Sequence, residues 1–220
     1  MKPVVSVYHN HPYCSTDSAL GVANALQEEF DVKFFTNDDF DLALERSAMI
    51  VFPGGLGDAD QFDKILGDKK EKVKSYVANG GKYLGICMGA YWADHWYFDL
   101  LQDLECNRFI KQTNSETTRS YGTVVDVIWY GIREPLKMYF YDGCVIEGTG
   151  KCEIVAKYAS NHSWAAVIQG NVGVIGMHPE STKHWFTYKT HKYMKPLWHE
   201  GQHHNLLADV VARMINDRDC

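Results

Sequence analysis

The residues best suited to chemistry are Gly85-Ile86-Cys87-Met88-Gly89, which join a short apolar segment to an amphipathic one. A nucleophile flanked by glycines between a strand and a helix is typical of a nucleophile elbow, a tight turn that projects the central side chain from the sheet. Side chains at the glycine positions would clash in such a turn. A helix N-terminus also favours the thiolate form of a cysteine. The pattern predicts Cys87 as a nucleophile; the alternative is a buried cysteine in an ordinary strand-to-helix turn.

A thiol nucleophile needs a base, and the base needs a group that orients it. His178 and Glu180 directly follow the apolar stretch 172–177, and Pro179 between them restricts the backbone. In the predicted mechanism Cys87 attacks a carbonyl carbon. His178 withdraws the thiol proton and later protonates the leaving amine, while Glu180 holds the imidazole tautomer. One histidine among ten is weak evidence, so the prediction depends on the combination of all three residues.

Acyl chemistry of this kind places negative charge on the carbonyl oxygen, and two backbone N–H groups usually stabilise it. The amide of Met88, directly after the predicted nucleophile, is the first candidate donor. The second is the amide of Gly55, or less favourably Gly54, in the Pro53-Gly54-Gly55 turn that follows an apolar run. Glycine would let the backbone approach a substrate closely. An ordinary strand-to-loop turn is the alternative for this motif.

Strand and helix patterns alternate through the first half of the chain, which favours a parallel, doubly wound α/β sheet with helices on both faces. The predicted strands are residues 4–8, 32–35, 48–52 and 83–86, and the predicted helices are residues 17–30, 41–45, 68–79 and 90–96. Ligands bind beyond the carboxyl ends of such strands. The glycine turn, Cys87 and His178 are therefore expected at one edge of the sheet.

The second half of the chain is richer in strand patterns, so we expect antiparallel strands to extend the sheet. The predicted strands are residues 123–130, 138–141, 152–158, 163–169 and 171–177. Residues 184–204 carry little periodicity and are interpreted as a loop or lid, which could contact a protein partner. An amphipathic helix is predicted over residues 206–215. No linker interrupts the chain, so residues 1–220 are interpreted as a single domain.

Composition argues against several classes of partner. The net charge is −6, and no basic cluster is interleaved with aromatic residues, so neither nucleic acid nor a membrane is the expected partner. No apolar run approaches a bilayer span, and no signal peptide is recognised, which predicts a cytoplasmic protein. The six cysteines lack C-x-x-C spacing, so neither a zinc site nor a disulfide framework is expected. No cofactor is predicted.

The order of three motifs resembles the class I glutamine amidotransferase-like superfamily: Pro53-Gly54-Gly55, then the elbow at Cys87, then His178-Pro179-Glu180. The resemblance implies a Cys-His-Glu triad on a flavodoxin-like sheet. Residues 76–93 and the segment Tyr139-Phe140-Tyr141-Asp142-Gly143 are more similar to the N-terminal domain of fungal-type biotin-protein ligase and its stand-alone relatives.

Two departures from these families bear on the substrate. Tyr91 stands where glutamine amidotransferases commonly have a glutamine that helps bind substrate, and Asp142 stands where the closer group has asparagine. We therefore expect a small-molecule or peptide amide other than free glutamine, with Tyr91, Asp142 and His9 as pocket residues. The predicted function is a cysteine-dependent amide hydrolase or amidotransferase-like protein that forms an acyl-thioester. The alternative is a non-catalytic binding or regulatory module with the same fold.

Four further groups of residues receive a structural interpretation. The pair His9 and His11 lacks a third metal ligand. The histidines at 199, 203 and 204 are expected in a solvated loop rather than a metal site. The aromatic residues Trp92, Trp96 and Tyr97 are expected in the core. The small residues Cys14, Ser15 and Ser18 are expected to cap the first helix rather than to line a pocket.

Overall fold

The computed structural model describes residues 2–216, except for the side chains of residues 189–191. Eleven strands in this part of the chain form one sheet. The strands are β1 (Val4–Tyr8), β2 (Asp31–Phe35), β3 (Met49–Phe52), β4 (Lys82–Ile86), β5 (Leu104–Arg108), β6 (Thr123–Trp129), β7 (Leu136–Phe140), β8 (Cys144–Gly148), β9 (Glu153–Tyr158), β10 (Trp164–Gln169) and β11 (Val172–Ile175). The helices are α1 (Thr16–Leu26), α2 (Phe40–Arg46), α3 (Phe62–Ile65), α4 (Lys70–Ala78), α5 (Met88–Trp92), α6 (Lys183–Thr187) and α7 (Gln202–Asn216).

The strand order β2-β1-β3-β4-β11-β10-β9-β6-β7 confirms the predicted fold class. The first five strands of this order pair in parallel, and β10, β9, β6 and β7 add antiparallel pairs. Because β4 and β11 are adjacent and parallel, their carboxyl ends meet at one edge of the sheet. Cys87 follows β4, and His178 lies just beyond β11. The topology thus brings the two ends of the site together across about ninety residues of sequence.

Helices cover both faces of the sheet. On one face α1 packs against α7, and the buried side chains of Val22, Leu26, Leu207 and Val211 belong to the same core cluster. On the other face Trp92 of α5 packs in a second cluster with residues of α2, α3 and α4. The central strands are therefore apolar on both sides, as the continuous apolar runs of the sequence predict. Within the described residues, no helix is long and apolar enough to span a membrane.

Two strands of the sheet do not appear among the sequence predictions. β5 and β8 pair with each other in antiparallel register, and β8 also joins β10. β5 has five residues, so its alternation of apolar and polar side chains is too short to stand out in the sequence. Its partner in the sheet lies about forty residues away, which a local pattern cannot indicate.

The interpretation of residues 184–204 as a loop is wrong. The segment contains most of α6, a 3₁₀ stretch over Lys189–Leu197 and the first residues of α7. Phe186 and Met194 are fully buried and pack with Tyr139 of β7. His199 and His203 are also buried, and their rings stack at 3.9 Å, so they do not lie in a solvated loop. The segment is a packed helical layer rather than a free lid.

Trp96 is a second correction, because its side chain is 76% exposed. α5 ends at Trp92, four residues earlier than the predicted helix, and Trp96 lies in the turn that follows. The other two aromatic residues of this group contribute to the core as expected: Trp92 is buried, and Tyr97 packs at its margin.

Candidate active site

The backbone of Cys87 has the strained geometry of an elbow apex. Its φ is 52° and its ψ is −102°, a conformation that non-glycine residues rarely adopt. A Cβ at Gly85 would lie 2.2 Å from the Gly89 carbonyl oxygen, and a Cβ at Gly89 would lie 2.0 Å from the Phe52 carbonyl oxygen. Both flanking positions therefore require glycine. The surrounding contacts hold Cys87 in a conformation that it would not adopt alone.

Backbone contacts fix Cys87 between two other segments of the site. Its N–H donates to the Ile175 carbonyl oxygen at the end of β11 (2.8 Å), and its Sγ lies 3.4 Å from the Tyr141 carbonyl oxygen. The His178 N–H donates to the Tyr139 carbonyl oxygen at 2.9 Å. The Cys87 side chain is also near enough to the His178 imidazole to raise its pKa. The elbow, the end of β11 and the end of β7 form one rigid unit.

His178 and Glu180 form a buried pair. The His178 Nδ1 lies 2.7 Å from the Glu180 Oε1, and the Glu180 side chain is fully buried. This contact leaves Nε2 as the ring nitrogen available to Cys87. Burial lowers the pKa of His178, but the negative charge of Glu180 and the Cys87 side chain outweigh it and raise the pKa to about 10. Glu180 therefore stabilises the imidazolium that forms when His178 takes the thiol proton, and a cation beside a sulfur favours the thiolate.

Ser18 is a site residue that the sequence pattern assigns to helix capping. Ser15 is the N-cap of α1, because its side chain accepts a hydrogen bond from the Ser18 N–H. The Ser18 hydroxyl instead donates to the Glu180 Oε1 at 2.6 Å and accepts from the Gly54 N–H at 2.9 Å. Ser18 is fully buried. A single hydroxyl thus links the carboxylate behind the imidazole to the glycine turn after β3.

The same hydrogen bond decides between the two glycines predicted as oxyanion donors. The Gly54 N–H is engaged by Ser18. No acceptor for the Gly55 N–H occurs among residues 2–216. Gly55 also approaches the Met88 side chain so closely that an added Cβ would lie 2.5 Å from the Met88 Cγ. Met88 begins α5, so its N–H has no intrahelical acceptor. Gly55 and Met88 are adjacent and line the same cavity as Cys87.

This cavity has a volume of about 810 Å³ and opens at the carboxyl edge of the sheet. Two predicted pocket residues line it, and they are linked: the Tyr91 hydroxyl donates to the Asp142 carbonyl oxygen at 3.3 Å. The Asp142 carboxylate forms a two-pronged ion pair with Arg108, with Nε to Oδ1 at 3.1 Å. His9 does not line the cavity. Its ring packs on Phe34 instead, because β1 lies two strands away from β4.

Three of the other described cysteines have a raised pKa, which disfavours the reactive thiolate form. Burial raises the pKa of Cys14 to about 11 and also raises the pKa of Cys152. The pKa of Cys106 is raised by its hydrogen bond with Cys144 and by burial. All five described cysteines are free thiols, and Cys220 lies outside the described residues. No group of three or more histidine, cysteine or acidic side chains within residues 2–216 has the arrangement of a metal site.

Comparison with known proteins agrees with this architecture. Residues 16–102 match the family model described as "Biotin-protein ligase, N terminal". No curated protein sequence matches the chain significantly.

Solved structures give the fold. A glutamine amidotransferase from Thermotoga maritima is similar over 99% of this chain and 100% of its own, with 13% identity and a TM-score of 0.69. A glutamine amidotransferase from Methylobacillus flagellatus is similar over 96% and 95%, with 11% identity and a TM-score of 0.62. A third glutamine amidotransferase covers 88% and 97%, with 19% identity and a TM-score of 0.62.

Proposed function

Since the chain has a class I glutamine amidotransferase-like fold, we propose that it is a cysteine-dependent amide hydrolase or amidotransferase-like enzyme. Cys87 is its nucleophile, His178 its base and Glu180 the group that orients the base. The observation that carries the proposal is the fully buried Glu180 bound to His178 Nδ1, directly behind a strained Cys87 elbow. A buried ion pair of this kind is costly to maintain, and perturbed histidines in clefts are typical of catalytic sites.

The reaction begins when the thiol proton passes to His178 Nε2 and the Cys87 sulfur attacks the carbonyl carbon of an amide. The carbonyl oxygen gains the negative charge and accepts hydrogen bonds from the Gly55 and Met88 amides. When the tetrahedral species collapses, the C–N bond breaks and His178 protonates the leaving nitrogen. Water or an amine then attacks the acyl-thioester with His178 as base, which releases the acyl product and restores the thiol.

The substrate of this reaction is a small-molecule or peptide amide. Free thiols are typical of proteins in a reducing compartment, and the described cysteines are all unpaired. The proposal therefore assigns the protein to the cytoplasm.

Limiting iodoacetamide, with the adduct mapped by mass spectrometry, tests the nucleophile. We expect alkylation at Cys87 before any other cysteine, because burial raises the pKa of Cys14 and Cys152. His178→Ala should slow Cys87 alkylation at neutral pH about tenfold or more, since the paired imidazolium is lost. His184→Ala is the matched control, because His184 lines the same cavity but its ring packs on Tyr188. Equal rates in the two variants would refute the triad.

A non-catalytic binding module is the second candidate. The observation that favours it is the contact between the Cys87 sulfur and the Tyr141 carbonyl oxygen, since a thiol that donates to a carbonyl is held in its neutral form. In that case Cys87 would react no faster than a small free thiol at the same pH, and His178→Ala would leave its rate unchanged. The alkylation experiment therefore separates the two candidates.

A further inference from the structure

The positive charge in the cavity is already neutralised. Of the described residues that line the cavity, Arg108 is the one with a permanent positive charge. Its guanidinium is held by the Asp142 carboxylate through two hydrogen bonds, and Asp58 acts on it as well. A bidentate pair of this kind fixes both partners in one geometry. A substrate carboxylate would have to displace Asp142 to reach Arg108.

Negative charge, in contrast, is unpaired at the cavity mouth. Asp17, in the first turn of α1, and Asp58, after the glycine turn, both line the cavity and are exposed. Neither carboxylate forms an ion pair with any described residue. Among residues 2–216, the Asp58 side chain accepts a hydrogen bond only from the Asp60 N–H. Two fixed carboxylates at the rim of a concave site attract cations.

Aromatic side chains also line this cavity and form what we call the aromatic wall. Tyr139 packs edge-to-face on Trp185, with the ring centroids 4.9 Å apart, and both line the cavity. Tyr91, Tyr97 and Tyr141 line it as well. The faces of such rings bind ammonium and guanidinium groups. The wall and the mouth thus favour the same kind of ligand.

We propose that the cavity accepts an amide whose non-reacting part carries a net positive charge, such as a basic peptide or an aminoalkyl amide. This inference rests on the proposed function, because it places the amide carbonyl at Cys87. The cationic group of the substrate lies against the aromatic wall and faces Asp17 and Asp58. Free glutamine is disfavoured relative to such amides, since its non-reacting part has no net charge and its α-carboxylate would face two aspartates and a guanidinium already bound to Asp142.

Charged thiol reagents test this inference without knowledge of the substrate. (Trimethylammonio)ethyl methanethiosulfonate and sulfonatoethyl methanethiosulfonate both convert a thiolate to a mixed disulfide and release methanesulfinate. Their rates at Cys87 are measured by peptide mapping. The ratio of cationic to anionic rate is then divided by the same ratio for N-acetylcysteine amide, a neutral reference thiol. We expect a corrected ratio of about ten at low salt, which decreases as salt screens the two aspartates.

The double variant Asp17→Asn/Asp58→Asn should reduce the corrected ratio to about three or less. The matched control is Glu45→Gln/Glu71→Gln, which removes two exposed carboxylates from a depression beside the amino ends of β3 and β4. The control should keep the ratio of the unmodified protein. A ratio that stays high in the aspartate variant, or falls equally in the control, would overturn the assignment.

The two proposals fail in different ways. If neither reagent labels Cys87 in the folded protein, the accessible nucleophile of the proposed function is refuted. If both reagents label Cys87 with a corrected ratio near one or below, the nucleophile stands and the preference for a cationic substrate is refuted.

Discussion

Replacing Ser18 with alanine tests how the site is held together. Ser18→Ala removes the hydroxyl that donates to the buried Glu180 Oε1 at 2.6 Å and accepts from the Gly54 N–H. A hydrogen bond to a charged group contributes about 1.5–3 kcal/mol, and the Gly54 N–H would remain buried without an acceptor, at a cost of about 1–3 kcal/mol. Since the two effects overlap, we expect the free energy of unfolding to fall by about 3 kcal/mol.

Ser6→Ala is the matched control. Ser6 is also fully buried, and its hydroxyl forms a neutral hydrogen bond with the Ser47 hydroxyl at 2.6 Å, far from the cavity. That substitution should cost about 1 kcal/mol. The free energy of unfolding is obtained from urea titrations, and the rate of Cys87 alkylation is measured on the folded variants over a range of pH.

Ser18→Ala should lower the Cys87 alkylation rate and shift the midpoint of its pH profile, because Glu180 loses one of its two hydrogen-bond partners and orients His178 less well. Ser6→Ala should leave both quantities unchanged. Equal losses of unfolding free energy in the two variants, together with identical pH profiles, would refute the role of Ser18 as a positioning residue.

Two more predictions concern the elbow and the buried histidines. Gly89→Ala should abolish the native elbow or lower the free energy of unfolding by more than about 3 kcal/mol, since the new Cβ would lie 2.0 Å from the Phe52 carbonyl oxygen. The control is Gly67→Ala, whose Cβ meets no atom closer than 3.8 Å. Equal urea midpoints for the two variants would contradict the prediction. Burial and histidine neighbours lower the pKa of His199 to about 3 and of His203 to about 4. The stability that these neutral rings contribute is therefore complete above about pH 6.5 and is lost as the pH falls toward 4. The loss is at most about 1.4 kcal/mol per pH unit for each residue. Urea titrations at about pH 7 and about pH 5 should show a smaller loss for His199→Phe than for the unmodified protein, and an equal loss would contradict the assignment.

The edge of the sheet where the site lies was predictable from local sequence. Apolar runs that end in Pro53-Gly54-Gly55, in the elbow and in His178-Pro179-Glu180 mark strands whose carboxyl ends must meet if the sheet is parallel. The fold class followed from the alternation of strand and helix patterns, which requires no knowledge of distant contacts.

Residues that act through distant contacts were harder to predict. Ser18 has the spacing of a capping residue, and only the fold shows that it faces Glu180, 162 residues later. His9 follows a strand on the correct edge, but the strand order places it against Phe34. A strand end fixes the edge of the sheet and not the position along it.

Residues 184–204 lack a recognisable helical pattern for a different reason. A 3₁₀ stretch repeats every three residues, and the one here contains Pro196, so it does not match the helical period used to recognise helices. Phe186, Met194, His199 and His203 are buried at irregular intervals. Histidine also counts as polar in such patterns, although these two rings stack and pack in the interior.

The insertion of β11 between β4 and β10 has a consequence for biosynthesis. The Cys87 N–H is bound to Ile175, its sulfur contacts Tyr141, and its proposed base is His178, so these three partners of Cys87 emerge from the ribosome more than fifty residues after it. A nascent chain that has exposed the elbow has a cysteine without a base, without an orienting carboxylate and without an enclosed cavity. Such long-range strand pairing forms late. Under the proposed function, Cys87 therefore gains its activated thiol only after synthesis has passed Glu180.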